Sequence, residues 1–584
     1  MTPSNPNSSS SPSINPENGY CSKTKTFYSL RPPSRLPDNN SCSLTNYIFS
    51  LLRNNSSPTS SSSLIDATSR HVIPYSEIPV LVSNLSLSLL QPPFSLCKGT
   101  TAFILSPNSS YLPILYLSLL HIGVIVSPSN PACSIGELSH QIKISRPAVA
   151  FVTAETRHKL SSFGIPRVID IDSNDFKSII MTKNSNKLKY ERNILEYYNV
   201  IQSRVLQSDT AAILYSSGTT GKVKGVKLSH MNLISTIAGA ISGKQNRENP
   251  AVYLCAVPYF HMYGFGLCFR MIAFGDSLVS ISRFDLGVMV RCVEEFRVTH
   301  LAVAPPVVVA LVDERNERLV SGVSWKSLEC VVSGGAPVTV SVIDKFKKRF
   351  PNVPLIQAYG LTETTGGISR VAGAYESTIV GTVGRLIGNC EAKIVDPETG
   401  VGLPPMNHGE LWVRGPFIMK GYVNNKEVID TMVDANGWLR TGDLCYFDNE
   451  GFLFVVDRLK ELIKYKGYQV PPAELEHILH SHPDIVEAAV IPYPDEVAGQ
   501  VPMGFIVRRK RSTINETQVK DFVAKQVAPY KKLRRVCFVD SIPKNAPGKV
   551  LRKDLIKLAL SATEPAALHG WKNRNYGKES SAIR

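Results

Sequence analysis

Residues Ser216 to Val226, SSGTTGKVKGV, gather hydroxyls, glycines and lysines directly after the apolar run Ala211 to Tyr215. Small residues let backbone N–H groups approach phosphate oxygens, hydroxyls add hydrogen bonds, and Lys222 and Lys224 add positive charge. This is the equipment of a phosphate-gripping loop. A Walker A loop is excluded, because Gly221-Lys222 is followed by Val223 where that loop needs Ser or Thr. Trp438 to Leu444, WLRTGDL, carries Asp443 just after a glycine, a carboxylate suited to accept hydrogen bonds from both hydroxyls of a ribose. Gln357 to Gly367 (QAYGLTETTGG), Asp457 to Val470 (DRLKELIKYKGYQV) and Pro543 to Lys553 (PKNAPGKVLRK) add an acidic Thr/Gly loop, a basic run and a lysine presented by a Pro/Gly-rich loop ahead of an amphipathic helix. Alone, each reads equally well as a turn or a solvated basic face. Their succession along one chain carries the weight.

In this order the segments resemble the signatures of the acyl-adenylate-forming superfamily, and the likeness runs from about Gly19 to Leu560. The stretch GYCSKTKTFYSLRPP near the start makes the plant 4-coumarate:CoA ligase-like group the nearest resemblance. The resemblance implies ATP and CoA as co-substrates and Mg²⁺ as cofactor. It implies a nucleotide site of Ser216, Ser217, Gly218, Thr219, Thr220, Lys224, Gln357, Ala358, Tyr359, Thr362, Asp443, Arg458 and Lys460. Tyr359 would flank the adenine, Thr362 touch the α-phosphate, Glu363 hold the metal and Asp443 the ribose. Mg²⁺ suits that place, being a hard cation that takes one or two carboxylates together with phosphate oxygens.

By the same resemblance Asp457 is the hinge of a mobile C-terminal domain, and Lys549 bridges the substrate carboxylate and the α-phosphate. Lys464 serves the acyl-AMP, Gln469 and His261 take part in catalysis, and Arg283, Lys466 and Gly467 face CoA. Tyr263, Gly335, Ala358 and Gly367 line the acyl pocket. Gly335 and Ala358 stand where authentic 4-coumarate ligases have Ala and Gly, and Gly367 replaces a bulky aliphatic. Two of these changes widen the pocket and one narrows it, which puts hydroxycinnamate specificity in question. The expected reaction is carboxylate activation to acyl-AMP with release of pyrophosphate, then transfer to CoA, on a hydroxycinnamate or a related aromatic or fatty acid. A luciferase-like oxygenase, an adenylating enzyme with another acceptor and a non-catalytic protein of the same fold are the alternatives.

The elements that must position these residues follow from composition and patterning. A chain of 584 residues is too long for one core and implies two or more domains. Hydrophobic content of 43% and a mean hydropathy of −0.02 read as a globular protein. The net charge of +16 comes from basic residues spread along the chain without a nucleic-acid-binding signature, so small polyanions are the expected partners, with no nucleic acid and no obligate protein partner. The 11 cysteines form no C-x-x-C pair. Neither zinc site nor disulfide framework is indicated. Met1 to Pro16 is Ser/Pro/Asn-rich without an apolar signal core, and Ser581-Ala582-Ile583-Arg584 is not the Ser-Lys-Leu peroxisomal address, so a cytoplasmic location is expected, with the peroxisome as alternative.

Short apolar runs such as Ala102 to Leu105, Ala148 to Val152, Ala211 to Leu214, His300 to Val303 and Cys330 to Val332 alternate with helix-length segments, which argues for α/β architecture with largely parallel sheets. Leu112 to Val126 reads as one buried helix, not a membrane span. Asn389 to Lys420, with Glu410 to Val413 as a strand, reads as a small β-subdomain, and Pro472 to His482 as an amphipathic helix. The expected organisation is a disordered tail over 1–18, an N-terminal domain over 19–456, a C-terminal α+β domain over 457–565 and a tail over 566–584. From the resemblance come two sheet-based subdomains and a small β-barrel inside the first domain.

Overall fold

Runs of Val, Ile, Leu and Ala without polar alternation need cover on both faces, and the chain supplies it with helices on either side of two parallel sheets. The computed structural model describes residues 14–54, 62–181, 205–217, 223–241, 247–423, 432–466, 468–545 and 548–561. The first sheet orders its strands Gly421–Tyr422, Val223–Ser229, Thr210–Ser217, Ile125–Ser129, Thr101–Leu105, Val149–Val152 and Val168–Asp170. Its first two pairings are antiparallel and the rest parallel. The second, nine-stranded sheet is parallel from Leu355–Tyr359 through Cys330–Gly334, His300–Val303, Val252–Cys255 and Ser277–Ser280 to Ser63–Asp66, with antiparallel strands at both edges.

The helix Met262–Phe274 contributes Met262, Phe265, Phe269 and Met271 to the largest core, which is shared between the two sheets. A second core, around Val293, Leu311, Val331 and Phe346, fills the other face of the nine-stranded sheet. The C-terminal part is a small mixed sheet built on the hairpin Ile485–Asp495 and Gly499–Arg508, with Arg535–Phe538 added parallel to the second of these strands, and it is covered by the helices Pro472–His480, Glu516–Ala524 and Arg552–Ser561.

Two expectations change. The apolar stretch Leu112 to Val126 is not one helix: Tyr111–His121 is helical, Gly123 turns at φ +74°, and Ile125–Ser129 is already a strand. Apart from the buried Ser118 and His121 the run is apolar because both elements are buried, so hydropathy alone does not reveal the break. The anticipated β-barrel is an open antiparallel sheet running Tyr20–Cys21, Thr26–Tyr28, Glu391–Val395, Gly409–Arg414, Leu439–Phe447 and Leu453–Arg458, with no pairing among the described residues that closes its ends. Among the described residues no helix is long and apolar enough to cross a membrane.

Candidate active site

The glycine-rich segment joins two strands that pair with each other. Thr210–Ser217 and Val223–Ser229 pair antiparallel with Ser216 opposite Lys224. Gly218, Thr219 and Thr220 lie outside the described residues, as does the side chain of Ser217. The hairpin reaches the one-turn helix Thr362–Thr364, where the Ser216 hydroxyl donates to Glu363 Oε1 at 2.9 Å. Tyr422 donates its phenol to the same oxygen at 2.9 Å, and Lys224 Nζ stands 4.8 Å from the Tyr422 ring centre. Among the described residues Glu363 Oε2 takes no hydrogen bond. The turn is sterically fixed, since a Cβ on Gly360 would lie 2.4 Å from the Gly366 carbonyl carbon, and Thr365 and Gly366 adopt φ +53° and +81°.

The second cluster centres on Asp443, whose side chain is 3% exposed. Gly442, at φ +70°, lies at a register shift inside the strand Leu439–Phe447 just ahead of it, and cross-strand register sets Asp443 opposite Arg458. Tyr359 donates its phenol to Oδ2 at 2.5 Å, and Arg458 Nε lies 2.6 Å from Oδ1. Burial raises the Asp443 carboxyl above the usual range, against the pull of the Arg458 charge. Asp457, next in the chain, takes the backbone N–H of Ala473 on its Oδ2 at 2.8 Å, tying the end of the last N-terminal strand to the first turn of the helix Pro472–His480.

Lys549 arrives from the far end of the chain. Its loop lies against the larger domain, because a Cβ on Gly548 (φ +85°) would come within 2.3 Å of Pro306 Cγ. Lys549 Nζ is 3.7 Å from Glu461 Oε1, and Arg552 holds Oε2 of Glu461 at 2.5 Å while also pairing with Glu476 at 2.8 Å. Burial and the neighbouring Arg458 charge lower the Lys549 ammonium pKa, with Glu461 and Asp443 opposing. The N-terminal strands and the C-terminal loop thus bring Asp443, Arg458 and Lys549 into one electrostatic neighbourhood.

The third group lies between the helix Met262–Phe274 and the nine-stranded sheet. His261 caps the helix, its Nδ1 accepting from Tyr263 N at 3.3 Å, and burial lowers its pKa. Tyr263 donates to the Val332 carbonyl at 2.9 Å, and its ring lies 3.5 Å from where a Gly334 Cβ would sit. Register places Gly334 opposite Ala358, so Val332, Gly334, Ile356 and Ala358 share the face that Tyr263 covers. Val332, Ile356 and Ala358 keep partial exposure in mid-sheet, which marks open space against this face. Gly335 (φ +91°) follows the strand, and a Cβ on Gly367 would meet Ile387 Cδ1 at 3.1 Å.

Other expected residues stand elsewhere. Gln357 is held within the protein, accepting from Val338 N at 3.3 Å and donating to the Thr382 carbonyl at 3.2 Å. Lys464 and Gln469 face each other across the hairpin Ile463–Tyr465 and Tyr468–Val470, both exposed, with Lys466 beside them at φ +47° and Gly467 outside the described residues. Lys460 is also exposed. Arg283 is a surface residue paired with Glu155. Thr362 opens the Glu363 turn. Sequence reasoning missed Tyr422 and Glu461. A lone acid among Lys460, Lys464 and Lys466 was a signal for Glu461, whereas Tyr422 is brought to Glu363 only by an edge-strand pairing.

The chain matches the AMP-binding enzyme family over residues 61–423 and the C-terminal domain of AMP-binding enzymes over residues 474–549. It is 46% identical to the Arabidopsis thaliana protein 4-coumarate–CoA ligase-like 9, covering 94% of this chain and 97% of the relative. It is 41% identical to the peroxisomal OPC-8:0-CoA ligase 1 of the same plant, covering 94% and 99%. Among solved structures it superposes on the o-succinylbenzoate CoA synthetase of Bacillus subtilis in complex with its acyl-adenylate OSB-AMP, with TM-score 0.70, 25% identity and coverage of 87% and 97%. The amide bond synthetase McbA of Marinactinospora thermotolerans shares the fold at TM-score 0.77 and 24% identity, over 88% and 99%. With the Ser216 and Glu363 cluster inside the first matched segment and Lys549 at the end of the second, the chain belongs to the AMP-binding enzyme family.

Proposed function

We propose that the Asp443, Glu363 and Lys549 neighbourhood joins a carboxylic acid to ATP as an acyl-AMP and that the same cleft then passes the acyl group to CoA. The enzyme is an ATP-dependent, AMP-forming acid–thiol ligase. The observation that carries the assignment of roles is the meeting of Lys549 with Asp443 and Arg458 across two segments of the chain. In the first step a carboxylate oxygen bonds to the α-phosphorus while the bond to the β-phosphate bridge breaks, and pyrophosphate leaves with the electron pair. Positioning and charge neutralisation carry such a step, which suits Lys549 between the carboxylate and the α-phosphate. Asp443 takes the ribose hydroxyls in place of Tyr359 and Arg458, and Tyr359 flanks the adenine. Ser216, Lys224 and Thr362, with the loop residues after Ser216, hold the phosphates.

Glu363 Oε2 takes no hydrogen bond among the described residues while Ser216 and Tyr422 share Oε1, a donor set that fits one magnesium ion sharing phosphate oxygens. Bound there, magnesium would supply further neutralisation of phosphate charge. In the second step the CoA thiolate attacks the acyl carbon and AMP departs. Arg283, Lys466 and Gly467 serve CoA, and Lys464 and Gln469, exposed here, reach the acyl-AMP once the C-terminal domain turns about Asp457. The acid enters against Tyr263 and Ala358, with His261 near its carboxylate. We assign a hydroxycinnamate or related aromatic or fatty acid as substrate and the cytoplasm as location, with the peroxisome as the alternative that one relative's name supports.

Acid-dependent exchange of labelled pyrophosphate into ATP, without CoA, tests the first step. Lys549→Ala is expected to slow it by about 10² to 10³ while leaving thiolysis of supplied acyl-AMP intact. Equal loss of both half-reactions refutes the assignment of Lys549.

A further inference from the structure

The acyl face continues past Ala358 onto charged ground. Ala358 pairs with Arg370 on the next strand, so the Arg370 side chain leaves the same face of the sheet as Gly334 and Ala358. Arg270 lies seven residues after Tyr263 on the covering helix, hence on the same helix face and about 10 Å deeper. Neither guanidinium forms a hydrogen bond or an ion pair among the described residues.

The nearby acids are already engaged. Glu376 takes Arg31 at 2.8 Å and Ala372 N at 2.6 Å, Glu329 takes Arg247 at 2.5 Å, and Asp276 accepts from Ala251 N at 2.9 Å. Arg385, the cross-strand neighbour of Arg370, stacks on Phe452 at 4.4 Å. Tyr253 and His300, stacked at 4.5 Å beside the pair, contribute no negative charge, since burial pushes the tyrosine up to about 12 and the histidine down to about 4. Burial and the like charges of Arg270 and Arg31 pull the Arg370 guanidinium down to about 10. Two partly buried guanidinium groups of like charge without an acidic partner are costly, and a carboxylate is the group whose geometry their planar forks match.

We propose that Arg270 and Arg370 form the far end of the acyl site and receive a second carboxylate, so that the preferred acids are medium-length α,ω-dicarboxylates. The proposal rests on the acyl-site reading above. It assigns Arg270 and Arg370 as specificity residues at the end of the acyl group remote from the reacting carboxylate.

Calorimetric binding to the full-length protein, with octanedioate, decanedioate, the matching monocarboxylates and the monomethyl ester of each diacid, tests this without relying on turnover. The diacids are expected to bind at least about tenfold more tightly than the monoacids. Arg270→Met and Arg370→Met should abolish that preference while leaving monoacid affinity unchanged, and Arg270→Lys should restore part of it. If monoacids or monoesters bind as well as diacids, or if the variants weaken every acid alike, the proposal is overturned. CoA-dependent AMP release with the same panel separates the two readings. Diacid preference in binding without turnover leaves the remote carboxylate site standing and removes the ligase assignment. Turnover of monoacids with no diacid preference does the reverse.

Discussion

Replacing Asp443 by Asn changes the charge of the second cluster and little else. The carboxylate accepts from Tyr359 at 2.5 Å and pairs with Arg458 at 2.6 Å while its side chain is 3% exposed. Asn keeps the volume and one acceptor oxygen, so Tyr359 retains a partner, and Arg458, 29% exposed, can be hydrated in part. Loss of charge assistance costs roughly 2 kcal/mol, but the substitution also removes a carboxylate whose burial already raises its pKa, which returns part of that sum. The expected net change in stability is within about 1–2 kcal/mol, against about 3–5 kcal/mol for Asp443→Ala, which strands the Arg458 charge. With Asp443 as the proposed ribose ligand, nucleotide binding has no such offset: two ribose hydroxyls lose a charged acceptor, worth about 2–4 kcal/mol, so KM for ATP should rise about 30- to 1,000-fold. Urea denaturation and pyrophosphate exchange at varied ATP measure the two effects on one preparation. A large stability loss with an unchanged KM for ATP would refute the reasoning, making Asp443 a structural ion-pair partner only.

Two further outcomes depend on pH. On the proposed role of the Lys549 ammonium in adenylation, whose pKa burial and Arg458 lower and Glu461 raises, the alkaline limb of pyrophosphate exchange should fall below the ordinary lysine range, and Glu461→Gln should move it lower still. A shift to higher pH would contradict this placement of Glu461. His230, fully buried, accepts from Leu44 N at 3.1 Å, and burial holds its pKa down to about 4. Its folded-state pKa lies below the unfolded value of about 6.5, so its contribution is complete above that pH and is lost as pH falls towards 4, by roughly 3 kcal/mol. His230→Asn should flatten the stability profile across that window, as read by chemical denaturation at stepped pH.

Ser216, Glu363, Asp443, Arg458 and Lys549, which the fold gathers into the clusters described, all lie in short segments that stand out in the sequence, and His300–Val303 was located to the residue as a strand. What was not legible depends on pairing across long separations. Nothing local says that Tyr359 will face Asp443, that Tyr422 will share Glu363 with Ser216, or that Arg370 will stand beside Ala358. Gln357 stands two residues before Tyr359 in Leu355–Tyr359, and no local pattern announces that its side chain will engage Val338 N and the Thr382 carbonyl. The Leu112 to Val126 break was hidden because burial on all sides erases the polar periodicity that distinguishes helix from strand.

The most direct measurement is the stoichiometry of products from purified protein given an accepted acid, ATP, Mg²⁺ and CoA, read by mass spectrometry. AMP and acyl-CoA formed one to one, absent without CoA after the first turnover and absent in Lys549→Ala, is the predicted result. AMP released steadily without a thioester product, or no ATP consumption with any acid, contradicts it.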